Sequence, residues 1–107
     1  MRKRKVKLHR YVFDLDGTLC SNESDVYTAI PFFNRIKKVN ELYDQGHIII
    51  IDTARGKLTG KDHLQQTEEQ LKKWGLKYKI LQTGEKAFGD YYIDDKAVND
   101  KDFFKLK

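Results

Sequence analysis

Four consecutive isoleucines, Ile48 to Ile51, followed by Asp52 and Thr53, constrain this chain more than any other feature. β-branched side chains favour extended backbone, and an apolar run without polar alternation needs cover on both faces. The run is far too short to span a bilayer. Residues His47 to Asp52 therefore read as a central, fully covered strand. A second apolar run, Tyr11-Val12-Phe13, leads into Asp14-Leu15-Asp16-Gly17. Within Val6 to Leu15 it reads as another buried strand, and this one ends on carboxylates.

Between these strands the periodicity changes. From Pro31 to Gln45 the apolar residues Phe32, Ile36, Val39 and Tyr43, with Phe33 and Leu42 beside them, recur at helical spacing. Pro31 suits the first helical turn, where its missing N–H is not needed, and Gly46 suits a left-handed stop. Residues 17 to 29 are polar and irregular, a loop. Thr53 to Lys61 is a second loop. Asp62 and Gln65 then resemble a capping box that opens a helix running to about Trp74, which Gly75 terminates. A third strand is expected over Lys77 to Leu81 and a fourth over Tyr91 to Ile93, ending at Asp94-Asp95. The tail from Ala97 is expected to hold a short helix, with Phe103 and Phe104 packing back on the core.

Strands alternating with helices predict an α/β fold, a Rossmann-like three-layer sandwich around a mostly parallel central sheet. A chain of 107 residues allows one domain, residues 1 to 107, with no internal repeat. Hydrophobic residues at 39% and charged residues at 35% suit a globular protein. No stretch reads as a membrane span or a secretion signal. The lone Cys20 has no internal disulfide partner, and no Cys/His spacing suggests zinc. These features predict a cytoplasmic protein without membrane partners. The net charge of +5 is concentrated in residues 1 to 7, through Arg2, Lys3, Arg4, Lys5 and Lys7. Such a segment is either a solvated, frayed terminus or a contact for an anionic partner such as nucleic acid.

In parallel sheets ligands bind beyond the carboxyl ends of the strands. Three polar clusters are expected there: Asp14 with Asp16, Thr53 with Arg55, and Asp94 with Asp95. Acids crowded into one crevice repel each other unless a cation sits among them, and a hard divalent ion such as Mg2+ suits oxygen ligands. Gly17 permits a sharp turn that, with Thr18, can present N–H groups to an anion. Thr53 offers a hydroxyl at the same rim, and Lys86 can neutralise a phosphate. Trp74, Tyr78, Tyr91 and Tyr92 read as core and rim packing, and His9, His47 and His63 need no chemical role.

Asp14-Leu15-Asp16-Gly17-Thr18 resembles the first motif of the haloacid dehalogenase (HAD) superfamily, DxDGT after a hydrophobic strand. Ile48 to Thr53 resembles its second motif, Lys86 its third-motif lysine, and Asp94-Asp95 its acidic fourth motif. Order and spacing agree over residues 10 to 97. The resemblance implies a Mg2+-dependent phosphomonoesterase. Asp14 would attack phosphorus to form an aspartyl-phosphate. Asp16 would protonate the leaving oxygen and later deprotonate the hydrolytic water. Thr53 and Lys86 would hold the phosphoryl oxygens. Asp14, the backbone carbonyl of Asp16 and Asp94 would ligate Mg2+, with Asp95 acting through water. Two departures stand out. Asp52 occupies a position more often apolar in that superfamily, and no proline follows Lys86.

Neither the stretch from Thr18 to His47 nor that from Gly56 to Glu85 has room for a cap domain, so the resemblance is to capless members. An open site gains specificity from a large substrate that covers it or from a neighbouring subunit in a homo-oligomer. Arg55, Lys57 and Lys61 could contact further anionic groups of that substrate. The expected partner is a phosphorylated small molecule or a phosphorylated macromolecule end, and nucleic acid is one such class. Two other functions fit the same residues: a phosphate- or nucleic-acid-binding module that has lost turnover, and a phosphotransferase that passes the phosphoryl group to an alcohol.

Overall fold

The computed structural model describes residues 7–55, 63–83, 91–94, 98–99 and 103–104. In chain order the elements are β1 (Arg10–Asp14), a short 3-10 turn (Val26–Thr28), α1 (Phe33–Asp44), β2 (Ile48–Thr53), α2 (His63–Lys73), β3 (Ile80–Thr83), β4 (Tyr91–Asp94) and β5 (Val98–Asn99). The strands form one sheet in the order β3-β2-β1-β4-β5. All four pairings are parallel. Among the described residues no helix is long and apolar enough to cross a membrane.

The strands alternate as a covered sheet requires. Phe13, Ile49, Ile51 and Ile93 are fully buried and cluster with Ile36, Val39 and Leu42 of α1 and with Leu71 of α2. Val12 and Ile50, which point to the opposite face, are buried as well. The isoleucine run is thus a central strand, flanked by β1 and β3. Phe103 and Phe104 pack on Phe13 with ring centroids 5.8 and 6.1 Å away, as expected for the tail.

Both helices end as the glycines foretell. Gly46 and Gly75 have φ of 99° and 76°. At the first, Gly46 N–H donates to Tyr43 and His47 N–H to Leu42. At the second, Gly75 N–H donates to Lys72 and Leu76 N–H to Leu71. These paired bonds are Schellman stops, and in α2 the buried Leu71 and Leu76 supply the accompanying apolar contact.

Several boundaries differ from the sequence reading. Pro31 lies outside α1: it bridges Cys20, and Phe32, whose N–H donates to Leu19, caps the helix. The buried stripe of α1 ends on Leu42 rather than Tyr43, which is 40% exposed. β3 starts at Ile80, not Lys77. The preceding residues are taken by the helix exit, where Leu76 closes the stop and Lys77 N–H donates to the Asn40 side chain. Asn40 also donates to Gly75 O, so it clasps α1 to this exit. Val98–Asn99 is a strand beside β4, and the helical conformation expected in the tail falls at Phe103 and Phe104. Asp62, expected to cap α2, lies outside the described residues.

Candidate active site at the strand ends

The sheet order reverses at β1: β2 and β3 lie on one side, β4 and β5 on the other. The crevice between β1 and β4 is therefore the topological switch point, where open parallel sheets bind ligands. Phe13 is in register with Ile93, so Asp14 and Asp94, one residue further on, stand level at the ends of adjacent strands. On the other flank Asp14 is in register with Asp52, and Thr53 ends β2 beside Thr83 of β3. The backbone thus brings Asp14, Thr53 and Asp94 to one rim. Asp14 and Asp52 are both half-buried. Lys86 and Asp95 lie outside the described residues, as do Lys57 and Lys61. Among the described residues no cluster of three or more His, Cys, Asp or Glu side chains forms a metal site.

The loop after β1 is tightly wound. Gly17 has φ +87°, and a Cβ there would meet nothing nearer than Asn22 Nδ2 at 3.8 Å. Glycine is needed for the left-handed backbone, not for room. The turn spends its own donors: Gly17 N–H bonds Cys20 O, while Thr18 and Leu19 N–H both bond Leu15 O. The expected anion cradle from Gly17 and Thr18 N–H groups is therefore not what these residues form. The Thr18 hydroxyl is buried and has no partner among the described residues. The Thr18 carbonyl accepts from Arg35 Nη1 at 2.8 Å, and the Arg35 guanidinium lies over the rings of Phe104 and Phe32, 4.9 and 5.5 Å from their centroids.

Arg55 departs most from expectation. Read as a substrate contact on an open loop, it is instead 2% exposed and turned inward. Its Nε donates to Asp16 Oδ2 at 3.0 Å and its Nη2 to Asp16 Oδ1 at 2.7 Å, a side-on fork. Nη1 donates to Gln70 Oε1 and, at 3.5 Å, to Thr67 Oγ1, both on α2. Gln70 in turn donates to Val26 O at 3.3 Å. A buried guanidinium requires such partners, since an unpaired buried charge is very unfavourable. The Thr53 hydroxyl accepts the Arg55 N–H at 3.1 Å, which leaves its own O–H to donate elsewhere.

Cys20 is fully buried, with Sγ 3.5 Å from Asp16 Oδ1. Burial, and then the Asp16 charge, push its thiol up to about 12, so it stays protonated and unreactive. Sequence reading missed Arg35, Thr67, Gln70 and this role of Cys20. One signal existed for α2: Thr67 sits on the stripe Leu64, Thr67, Leu71, Trp74, where a fully buried polar residue needs a polar partner. A groove of about 530 Å³, lined in part by Tyr27, Gln66, Gln70 and Trp74, lies between the 3-10 turn and α2. Neither Asp14, Asp16 nor Thr53 is among its lining residues.

Strand order, parallel sense and flanking helices define a small Rossmann-like α/β domain. A crystal structure of an MCSG target from Vibrio cholerae has the same fold, with a TM-score of 0.73 and 31% identity over 94% of this chain and 90% of that one. The chain belongs to the same family as that Vibrio cholerae protein. No protein-family model matches the chain. No curated protein matches it.

Proposed function

We propose that this chain is a capless, Mg2+-dependent phosphomonoesterase of the HAD type, working through an aspartyl-phosphate on Asp14. One observation carries the reading: β2, β1 and β4 lie side by side, so that Thr53, Asp14 and Asp94 end together at the switch point. The DxDGT sequence Asp14 to Thr18 supplies the chemistry for that position.

The donor set suits Mg2+, which favours one or two carboxylates, a carbonyl and waters. Asp14 and Asp94, with the Asp16 carbonyl, would hold the ion, and Asp95 is a candidate for contact through water. The Asp16 carboxylate is gripped by Arg55, which leaves its carbonyl as the group for the metal. When bound, the ion neutralises phosphoryl charge and orients the ester for in-line attack. The remaining chemistry belongs to the chain. Asp14 displaces the alcohol at phosphorus, Asp16 donates a proton to the departing oxygen, and the Thr53 hydroxyl and Lys86 hold the phosphoryl oxygens. Asp16 then takes a proton from the water that hydrolyses the intermediate.

No cap is needed in this reading. Residues 15–32 join β1 to α1 as a compact loop, and only residues 56–62 separate the Arg55 turn from α2. The substrate is then a phosphorylated small molecule or a phosphorylated macromolecule end.

The test is phosphate release from 4-nitrophenyl phosphate with Mg2+. Wild type is expected to turn over, chelation by EDTA to stop it, and Asp14→Asn to lower kcat at least about 10³-fold, as loss of a nucleophile does. Equal rates for wild type and Asp14→Asn would sink the proposal.

A further inference from the structure

We propose that Arg55 is the positioning residue of the reaction: it fixes the direction of the Asp16 carboxyl group so that one oxygen, Oδ2, is the atom that exchanges the proton with the leaving group. This rests on the phosphomonoesterase reading and adds to it a residue and an atom that the motif does not specify.

The geometry points to a single working oxygen. A carboxylate offers about four acceptor directions, two on each oxygen. On Oδ1, one is taken by Arg55 Nη2 at 2.7 Å and a second faces the Cys20 thiol at 3.5 Å. On Oδ2, one is taken by Arg55 Nε at 3.0 Å. Among the described residues nothing takes the second direction on Oδ2, and the Asp16 side chain keeps 20% of its surface exposed. A general acid must hold its proton within hydrogen-bond reach of the departing oxygen. Among the described residues, only Oδ2 is left to do so.

The fork is itself held from behind. Arg55 is buried, so swinging it towards solvent would break these bonds and strand the Asp16 carboxylate. Gln70 fixes the far side of the guanidinium with its amide oxygen, and its amide nitrogen is committed to Val26 O, which settles which way the amide faces. Helix α2 and the 3-10 turn thus brace a side chain on the loop after β1. A lysine at residue 55 would retain the charge but not the two-point grip, because its ammonium is a single point.

In the first step a proton brought by the phosphate monoanion of the substrate is taken up on Oδ2. It passes to the ester oxygen as the P–O bond breaks and the Asp14–phosphorus bond forms, which returns Asp16 to the carboxylate that Arg55 holds. Protonation matters most when the leaving alcohol is a poor leaving group. The value of kcat/KM reports this first step alone. Loss of orientation should therefore separate good from poor leaving groups, which a general loosening of the fold would not do.

The experiment compares 4-nitrophenyl phosphate with an alkyl phosphate in wild type, Arg55→Lys and Gln70→Ala. For Arg55→Lys, kcat/KM for the alkyl ester is expected to fall about 10²-fold or more, within the usual range for general acid catalysis, and less than about 10-fold for the aryl ester. Gln70→Ala, which leaves the ion pair in place, is expected to show the same asymmetry more weakly, and it carries the test if Arg55→Lys does not fold. Equal losses on both esters in an active enzyme overturn the role of Arg55 and leave the phosphatase reading standing. No turnover of either ester by wild type overturns that reading, and this role with it.

Discussion

The Arg55–Asp16 pair also predicts a stability effect that does not depend on catalysis. Replacing Arg55 by methionine keeps an unbranched apolar side chain in the space but removes both charged bonds to Asp16 and the bond to Gln70. Among the described residues Asp16 then keeps only the Cys20 thiol as a neighbour, on Oδ1. Stranding one member of a buried ion pair costs about 3–5 kcal/mol. Arg55 is 1% exposed at the side chain but Asp16 is 20% exposed, so water recovers part of that. The expected loss is about 2–4 kcal/mol, or roughly 10–25 °C in Tm for a domain of this size. Trp74, the single tryptophan, is half-buried beside the core and reports urea unfolding by fluorescence. In the double variant R55M/D16N no charge is stranded, so it should recover about 1–2 kcal/mol relative to R55M, a coupling typical of contacting residues. An R55M loss below about 1 kcal/mol, or strict additivity in the double variant, would refute the pairing.

Other outcomes follow from other parts of the molecule. Gly75→Ala places a Cβ in open space, so its cost is the left-handed backbone alone, about 1–2 kcal/mol by thermal unfolding. Gly46→Ala should cost a similar amount, because its Cβ would meet Leu8 carbons at an ordinary 3.5 Å. Native Cys20 should not react with a thiol reagent at neutral pH and should react fully in denaturant, since it is buried and its thiol is pushed up to about 12. His47 is held below its ordinary 6.5 by burial and then by the neighbouring His9, and its Nδ1 accepts the His9 N–H at 3.0 Å. The unfolded chain therefore binds this proton more readily than the folded one. Stability should fall as pH drops below about 6.5, and His47→Gln should flatten that slope in a plot of Tm against pH.

The parts of the fold legible in the sequence were those with strong local signals. Ile48 to Ile51 and Tyr11 to Phe13 could be little else than buried strands, and Gly46 and Gly75 mark both helix ends. The rim of Asp14, Thr53 and Asp94 followed from parallel topology, which puts strand ends on one edge. Non-local competition accounts for what was missed. Pro31 would suit a first helical turn, but a bridge to Cys20 claims it. Residues 77 to 79 have strand-like composition, yet the exit from α2 and the Asn40 clasp occupy their start. Val98–Asn99 is too short for any periodicity, and only β4 makes it a strand. Arg55 follows a strand end in a basic stretch, which suggests an exposed contact. Its true environment comes from Asp16, Thr67 and Gln70, residues distant in sequence that only the folded chain assembles.

The Arg35 contacts tie two distant stretches of the polypeptide together. Phe104 stacks on the guanidinium that holds the Thr18 carbonyl, so the loop after β1 leans on a side chain far along the sequence. A ribosome would have to release Phe104 before that loop could settle, and a change at Phe104 would be felt at Thr18, far from it in sequence.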